Sequence, residues 1–198
     1  MSTQSSSHTL RIIGGNWRGR KVSFTPRGDV RPTPDRVRET LFNWLQGYLP
    51  GARCLELYAG SGILSLEALS RGASEVVLLD NMKEIIDHLT QEFQKFQVPA
   101  QQYQLINLSA RRWLLQDICR GFDLIFLDPP FAAEELGPVL HDISSKRLLN
   151  PEGWVYIESN TRLQKDGLPD GWVIHRQKKA GAVHYCLVSS GPGTGKFV

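Results

Sequence analysis

Apolar residues run in short blocks along this chain, and the blocks follow two periods. Val37, Leu41, Trp44, Leu45 and Tyr48 fall at i, i+4, i+7, i+8 and i+11, which makes one helix face. Residues 53–58, 75–80, 103–106, 122–127 and 153–158 are instead short apolar runs between turn residues, the form of strands buried on both faces of a parallel sheet. Helical stretches stand between them at 64–69, 82–96, 110–116 and 134–144. Two more strands, 172–177 and 183–188, close across residues 178–182. Strand–helix units ending in a hairpin predict an α/β fold, a doubly wound, Rossmann-like sheet of seven mostly parallel strands with one reversed.

The start of the chain has a different pattern. Residues 10–13 and 18–24 alternate arginines with apolar residues around Gly14-Gly15-Asn16, which reads as a β-hairpin. Thr33-Pro34 then reads as the opening of a helix, with Thr33 as N-cap and Pro34 in the first turn. The resulting layout is a disordered tail over 1–9, a basic hairpin arm over 10–30 and the main domain over 31–190. A flexible tail follows over 191–198. Its Gly-rich run lacks the spacing and the following helix of a phosphate loop.

Composition narrows the class. At 198 residues and 41% hydrophobic, the chain can bury one α/β core and is short for two. No apolar run approaches the roughly 20 residues of a membrane span. Cys54, Cys119 and Cys186 are scattered, as reduced thiols of a cytoplasmic protein would be, and no metal-ligand cluster accompanies them. The net charge of +3 hides a division, because residues 1–38 carry eight basic side chains against two acidic ones. A basic arm on a mildly acidic body fits a polyanionic partner or a solvated face. Arg11, Arg18, Arg20, Lys21 and Arg31 could track phosphates and Trp17 could stack on an unpaired base; the other reading packs Trp17 on the body. Arg36 and Arg38 could meet phosphate or a cofactor carboxylate, or stay solvated.

The chemistry gathers at the strand ends. Phe122 to Leu127 runs into Asp128-Pro129-Pro130-Phe131, where each proline fixes φ and lacks an N–H. The turn is rigid and presents a carboxylate, free carbonyls and a ring, acceptors suited to a planar group with N–H donors. Glu56 lies in the strand over 53–58 and Ala59-Gly60-Ser61-Gly62 follows, where glycines let a ligand approach the backbone beside a helix N-terminus. Asp80, about twenty residues on, is placed to accept from the ribose hydroxyls of an adenosyl group. Ser109 stands at the next corner, either against an adenine ring or as a helix N-cap.

Asp128-Pro-Pro-Phe131 resembles the fourth motif of methyltransferases that modify amino groups, and Glu56-x-x-x-Gly60-x-Gly62 resembles an S-adenosylmethionine loop. With Arg11-Ile-Ile-Gly-Gly, Trp17-Arg-Gly-Arg-Lys21, Arg31-Pro-Thr, Asp35-Arg-Val-Arg-Glu-Thr-Leu-Phe-Asn-Trp-Leu45 and Glu67-Ala-Leu-Ser-Arg71, residues 10–189 resemble the bacterial 16S rRNA guanine-N2 methyltransferases of the small subunit. Glu56 stands where that family often has Asp, Asp80 where Glu is usual, Met82 for a frequent acid and Ser109 for an Asp or Asn. The resemblance implies an S-adenosylmethionine-dependent methyltransferase fold and methyl transfer to guanine N2 in 16S rRNA. It also implies a monomer acting on the assembling or assembled small subunit, with no metal and no membrane. Asp128, Pro129, Pro130 and Phe131 would hold the reacting amine; Glu56, Ala59, Gly60, Ser61, Gly62, Asp80, Ser109 and Asp128 would line the cofactor. An adenine-N6 DNA methyltransferase would use a similar turn, and a non-catalytic RNA-binding module would need only the basic arm.

Overall fold

The computed structural model describes residues 8–24, 33–118, 120–130 and 135–191. Strands β1 (His8–Arg11) and β2 (Lys21–Phe24) pair antiparallel around a 3-10 turn at Gly15–Trp17. His8 and Thr9, expected in a disordered tail, instead pair with Phe24 and Ser23, and the rest of that expected tail lies outside the described residues. The seven remaining strands are β3 (Arg53–Glu56), β4 (Glu75–Asp80), β5 (Tyr103–Asn107), β6 (Phe122–Leu127), β7 (Leu149–Ser159), β8 (Val173–Ala180) and β9 (Val183–Ser189). They form one sheet in the order β5-β4-β3-β6-β7-β9-β8, parallel throughout except for β9, which is antiparallel to both of its neighbours.

Five helices cover the sheet: α1 (Asp35–Trp44), α2 (Ile63–Ser70), α3 (Lys83–Lys95), α4 (Ala110–Leu114) and α5 (Leu136–Ser145). Side chains on a strand alternate between faces, and here each face meets its own core. Cys54, Leu78, Phe126 and Tyr156 pack with α1, α2 and α3, while Leu55, Leu79, Ile125 and Ile157 pack with α4 and α5. The chain winds outward from β3 through β4 to β5 on one side, and from β6 to β7 on the other. The reversal falls between β3 and β6, and in such sheets the ligand crevice opens at the carboxyl ends of the strands there.

The hairpin is fastened to the α1–α3 face. Ile12 and Val22 are fully buried there. The Ile13 N–H donates to Glu67 at 2.6 Å, the Trp17 N–H to the Ser70 hydroxyl at 2.8 Å, and the Ser23 N–H to Glu92 at 3.2 Å. Arg38, expected on the outside of α1, is 0% exposed. Its guanidinium donates to Glu67 at 2.8 Å, to Asp35 at 2.6 Å and to the Arg11 carbonyl at 3.0 Å. One helix's periodicity could not reveal this, because the partners come from elsewhere, Glu67 from α2 and the Arg11 carbonyl from the hairpin. Thr33 departs too: Pro34 occupies the cap position of α1, and the Thr33 hydroxyl donates to Glu158 at 2.6 Å. Among the described residues, no helix is long and apolar enough to cross a membrane.

Candidate active site

Four carboxylates end four neighbouring strands. Glu56 and Asp80 are the last residues of β3 and β4, Asp128 follows β6 directly, and Glu158 lies one residue from the end of β7. Strand alternation carries all four toward the α1–α3 face, since Cys54, Leu78, Phe126 and Tyr156, two residues before each, belong to that core. Phe126 pairs with Glu56 on one side and Tyr156 on the other, and Leu127 with Ile157. Asp128 and Glu158 are thus neighbours across the crevice wall.

The loop after β3 is held open by its own bonds. Asp80 accepts the Gly60 N–H at 3.1 Å and the Met82 N–H at 3.0 Å, tying two loops through one carboxylate. A carboxylate has about four acceptor sites, so capacity remains for further donors. Gly60 has φ +50 and a Cβ there would meet nothing within 4 Å, so its backbone borders open space. Gly62, at φ +66, answers a different need, because a Cβ would lie 2.5 Å from Leu89 of α3. Glu56 turns inward and accepts from the N–H and hydroxyl of Ser65 in α2, which gives it a part in fixing the loop. Ser109 caps α4, accepting the Arg112 N–H at 3.4 Å. Ala59 is buried and Ser61 lies in the turn between them.

Electrostatics set this crevice apart. Burial pushes the Glu56 carboxyl up to about 8, helped by repulsion from Asp80 and Glu158 and opposed by the bonds from Ser65. Asp128 is raised well above the usual carboxylate range, first by burial, then by Glu158 and Glu56. Asp80 is raised by burial against the pull of its backbone donors, and Glu158 by burial against the Thr33 and Tyr156 hydroxyls. Among the described residues these acids have no neutralising partner, and such a group suits a ligand that brings positive charge. Among the described residues, no set of three or more ligating side chains could hold a metal ion. A hollow of about 490 Å³ lined by Arg147, Asn150, Trp172 and Ser189 lies at the opposite end of the sheet, at the start of β7.

The chain matches the family described as conserved hypothetical protein 95 over residues 10–189. It is 38% identical over 185 residues to the Escherichia coli protein named ribosomal RNA small subunit methyltransferase D, covering 92% of this chain and 91% of that one. It is 36% identical over 191 residues to the Haemophilus influenzae protein of the same name, covering 94% and 97%. The solved structure of Escherichia coli yhhF superposes with a TM-score of 0.80 at 38% identity, covering 91% of this chain and 97% of that one. The chain belongs to the small-subunit rRNA methyltransferase D family. Its sheet is that of S-adenosylmethionine-dependent methyltransferases, as the resemblance implied, and its seven mostly parallel strands with one reversed are those the strand pattern predicted.

Within this frame of the methyltransferase D family, the expected site residues divide. The structure brings Glu56, Gly60, Asp80 and Asp128 to one crevice, with Pro129 buried and Pro130 exposed beside them. Phe131 and Arg31 lie outside the described residues, as does Cys119. Arg11, Arg18, Lys21 and Arg36 are exposed. Arg38 is not available to nucleic acid, being sealed in its ion pair with Glu67. Trp17 packs edge-on against Phe96 at 5.2 Å, the body-packing alternative. Arg20 lies 4.0 Å over the same Phe96 ring and donates to the Lys95 carbonyl at 2.9 Å. Sequence reasoning missed Glu158 and Tyr58, whose hydroxyl donates to Glu135 at 2.7 Å across the crevice mouth. Glu158 carried a usable signal: like Asp80, it is an acid at the end of an apolar strand.

Proposed function

We propose that the chain transfers a methyl group from S-adenosylmethionine to the exocyclic N2 of a guanine in 16S rRNA of the small subunit. The observation that carries this is the position of Asp128-Pro129-Pro130, at the carboxyl end of β6 and directly across the switch point from the Gly60 loop. The residues fit the cofactor: Gly60 faces open space, Asp80 retains acceptor capacity for ribose hydroxyls, and the acids suit a cationic sulfonium and ammonium. When bound, the cofactor supplies an electrophilic methyl on a positively charged sulfur.

The rest falls to the chain's own residues. Guanine N2 is a poor nucleophile because its lone pair is delocalised into the ring. An Asp128 oxygen and the Pro129 carbonyl accept its two N–H bonds, draw the nitrogen toward sp³ and aim the lone pair. Neither proline has an N–H, so the turn cannot close on itself and use up those acceptors. Phe131 stacks on the base. Holding the reactants in line supplies roughly 7–11 kcal/mol of the barrier. Arg11, Arg18, Lys21 and Arg36 contact phosphates, and a paired target base is first flipped out. The Asp128 side takes up the proton that the methylated amine must lose.

The test is methyl incorporation from labelled cofactor into 16S rRNA, small subunits and duplex DNA, followed by mass mapping of the product. N2-methylguanine in rRNA is expected. Label appearing only in DNA adenine would overturn the reading.

A further inference from the structure

Glu158 is nearly as buried as the core, at 2% exposure, yet no cation is seated on it among the described residues. Two hydroxyls serve it instead, and both reach the same oxygen: Thr33 donates at 2.6 Å and Tyr156 at 2.8 Å. Hydroxyl donors favour the ionised form of a carboxylate without neutralising it. Glu158 is therefore equipped to keep a negative charge, and the register puts that charge beside Asp128, with Leu127 and Ile157 paired one position earlier. Two carboxylates this close in a poorly solvated wall do not both ionise readily, and their protons belong to the pair.

We infer that Glu158 is a positioning residue for the reaction: its fixed charge keeps a proton on Asp128 in the empty crevice, and a cationic cofactor releases it. This rests on the proposed function only in needing a sulfonium near Asp128, where the methyl must face the amine. The surrounding groups agree. From β3, the Glu56 carboxyl faces Asp128 and, when ionised, opposes its charge; Asp80 on β4 acts on Glu56 in turn. From β9, Tyr185 faces Tyr156. On the α1 side Arg38 reaches the Thr33 carbonyl, but its charge is matched by Glu67 and Asp35. Burial raises both carboxyls of the pair, but of the two only Glu158 has hydroxyl donors among the described residues, and these favour charge there and the proton on Asp128.

An acceptor that ionises only when the cofactor arrives has a chemical use. The neutral carboxyl spares the empty enzyme a second buried charge. The cofactor's positive charge then creates the anion that accepts the N–H bonds and later the proton from the methylated nitrogen. No other reactant is needed, since the proton leaving Asp128 on binding passes to solvent.

Calorimetric titration of the whole protein with S-adenosylmethionine, in buffers of differing ionisation enthalpy, measures the protons released. The parent is expected to release a proton near neutral pH with the cationic cofactor, and fewer with neutral S-adenosylhomocysteine. Glu158→Gln keeps the acceptor oxygen but removes the charge. It should abolish the release and move the acid limb of single-turnover methylation to lower pH. Tyr156→Phe, a change that keeps the buried ring, should shift both in the same direction by less, and covers the case in which Glu158→Gln does not fold. Asp128→Asn should abolish release as well; persistence there would assign the proton to Glu56 or Asp80 and overturn the inference. Equal release in parent and Glu158→Gln, or an unmoved acid limb, would overturn it too. Proton release without rRNA methylation would break the functional reading alone, and methylation without release would break this one alone.

Discussion

Two groups of buried charge lie on the α1–α3 side of the sheet, and they are built on opposite rules. Around Arg38 each charge has a counterpart: its guanidinium meets Glu67 and Asp35, and Arg71 reaches Glu67 from the other side at 3.3 Å. At the strand ends, Glu56, Asp128 and Glu158 stand together with no basic side chain paired to them among the described residues, and charge on one opposes charge on its neighbour. The first group fastens the hairpin to the body, and the second gathers like groups at one crevice. Paired charges inside a protein mark structure; like charges left together mark chemistry.

Removing one partner from the first group should have the largest effect. Arg38→Ala takes from the buried Glu67 its fully buried cation, leaving Arg71 on the other oxygen, and should cost up to about 3–5 kcal/mol of stability by denaturant unfolding. An unfolding midpoint near the parent's would erase the distinction between the groups.

Asp128→Ala is the mirror experiment. Losing one well-placed electrostatic contact costs roughly 10²–10³-fold in turnover, or about 3–4 kcal/mol of barrier. The fold should be no less stable, because the Asp128 carboxyl makes no hydrogen bond or ion pair among the described residues. Asp128→Asn retains an acceptor and should keep measurable single-turnover methylation. Turnover of Asp128→Ala within about threefold of the parent, against that 10²–10³-fold, would make the turn structural.

Asp80→Ala should weaken cofactor binding about tenfold or more by calorimetry, the loss of charge-assisted hydrogen bonds worth about 1.5–3 kcal/mol. Unchanged affinity would reduce Asp80 to a tie between two loops.

Glu56 supplies a pH test. Its carboxyl titrates at 4.5 ordinarily and is pushed up to about 8 by burial. The folded state then keeps a proton that the unfolded chain has released, so this stability is full below the lower value and is lost as pH rises toward the upper one. Glu56→Gln, which still accepts from Ser65, should flatten that decline in a pH series of thermal unfolding. A parallel decline in both proteins would remove Glu56 from the acid group.

The smallest effect belongs to the surface. Charge reversal at Arg18 and Lys21 should weaken rRNA binding and flatten its salt dependence, because phosphate contacts release counterions. Cofactor affinity should not move. Equal salt slopes would make these residues a solvated face.

The amino-acid sequence by itself determined what depends on near neighbours in the chain. Short apolar runs marked the strands of the large sheet and a period-3.6 stripe marked the helix that opens the body, because burial on two faces or along one stripe leaves a local imprint. Asp80, Gly60 and Asp128 were legible for the same reason, since each sits where a buried strand runs out. What faces what was decided only in three dimensions. Arg38 looked like a surface cation until Glu67 of α2 and the Arg11 carbonyl of the hairpin met its guanidinium. Thr33 looked like a cap until β7 brought Glu158 within 2.6 Å of its hydroxyl, from 125 residues away. Trp17 and Arg20, which alternate like a nucleic-acid ribbon, found Phe96 of the body. A side chain's partner across the sheet is set by strand order, and strand order is a property of the whole fold that no local period encodes.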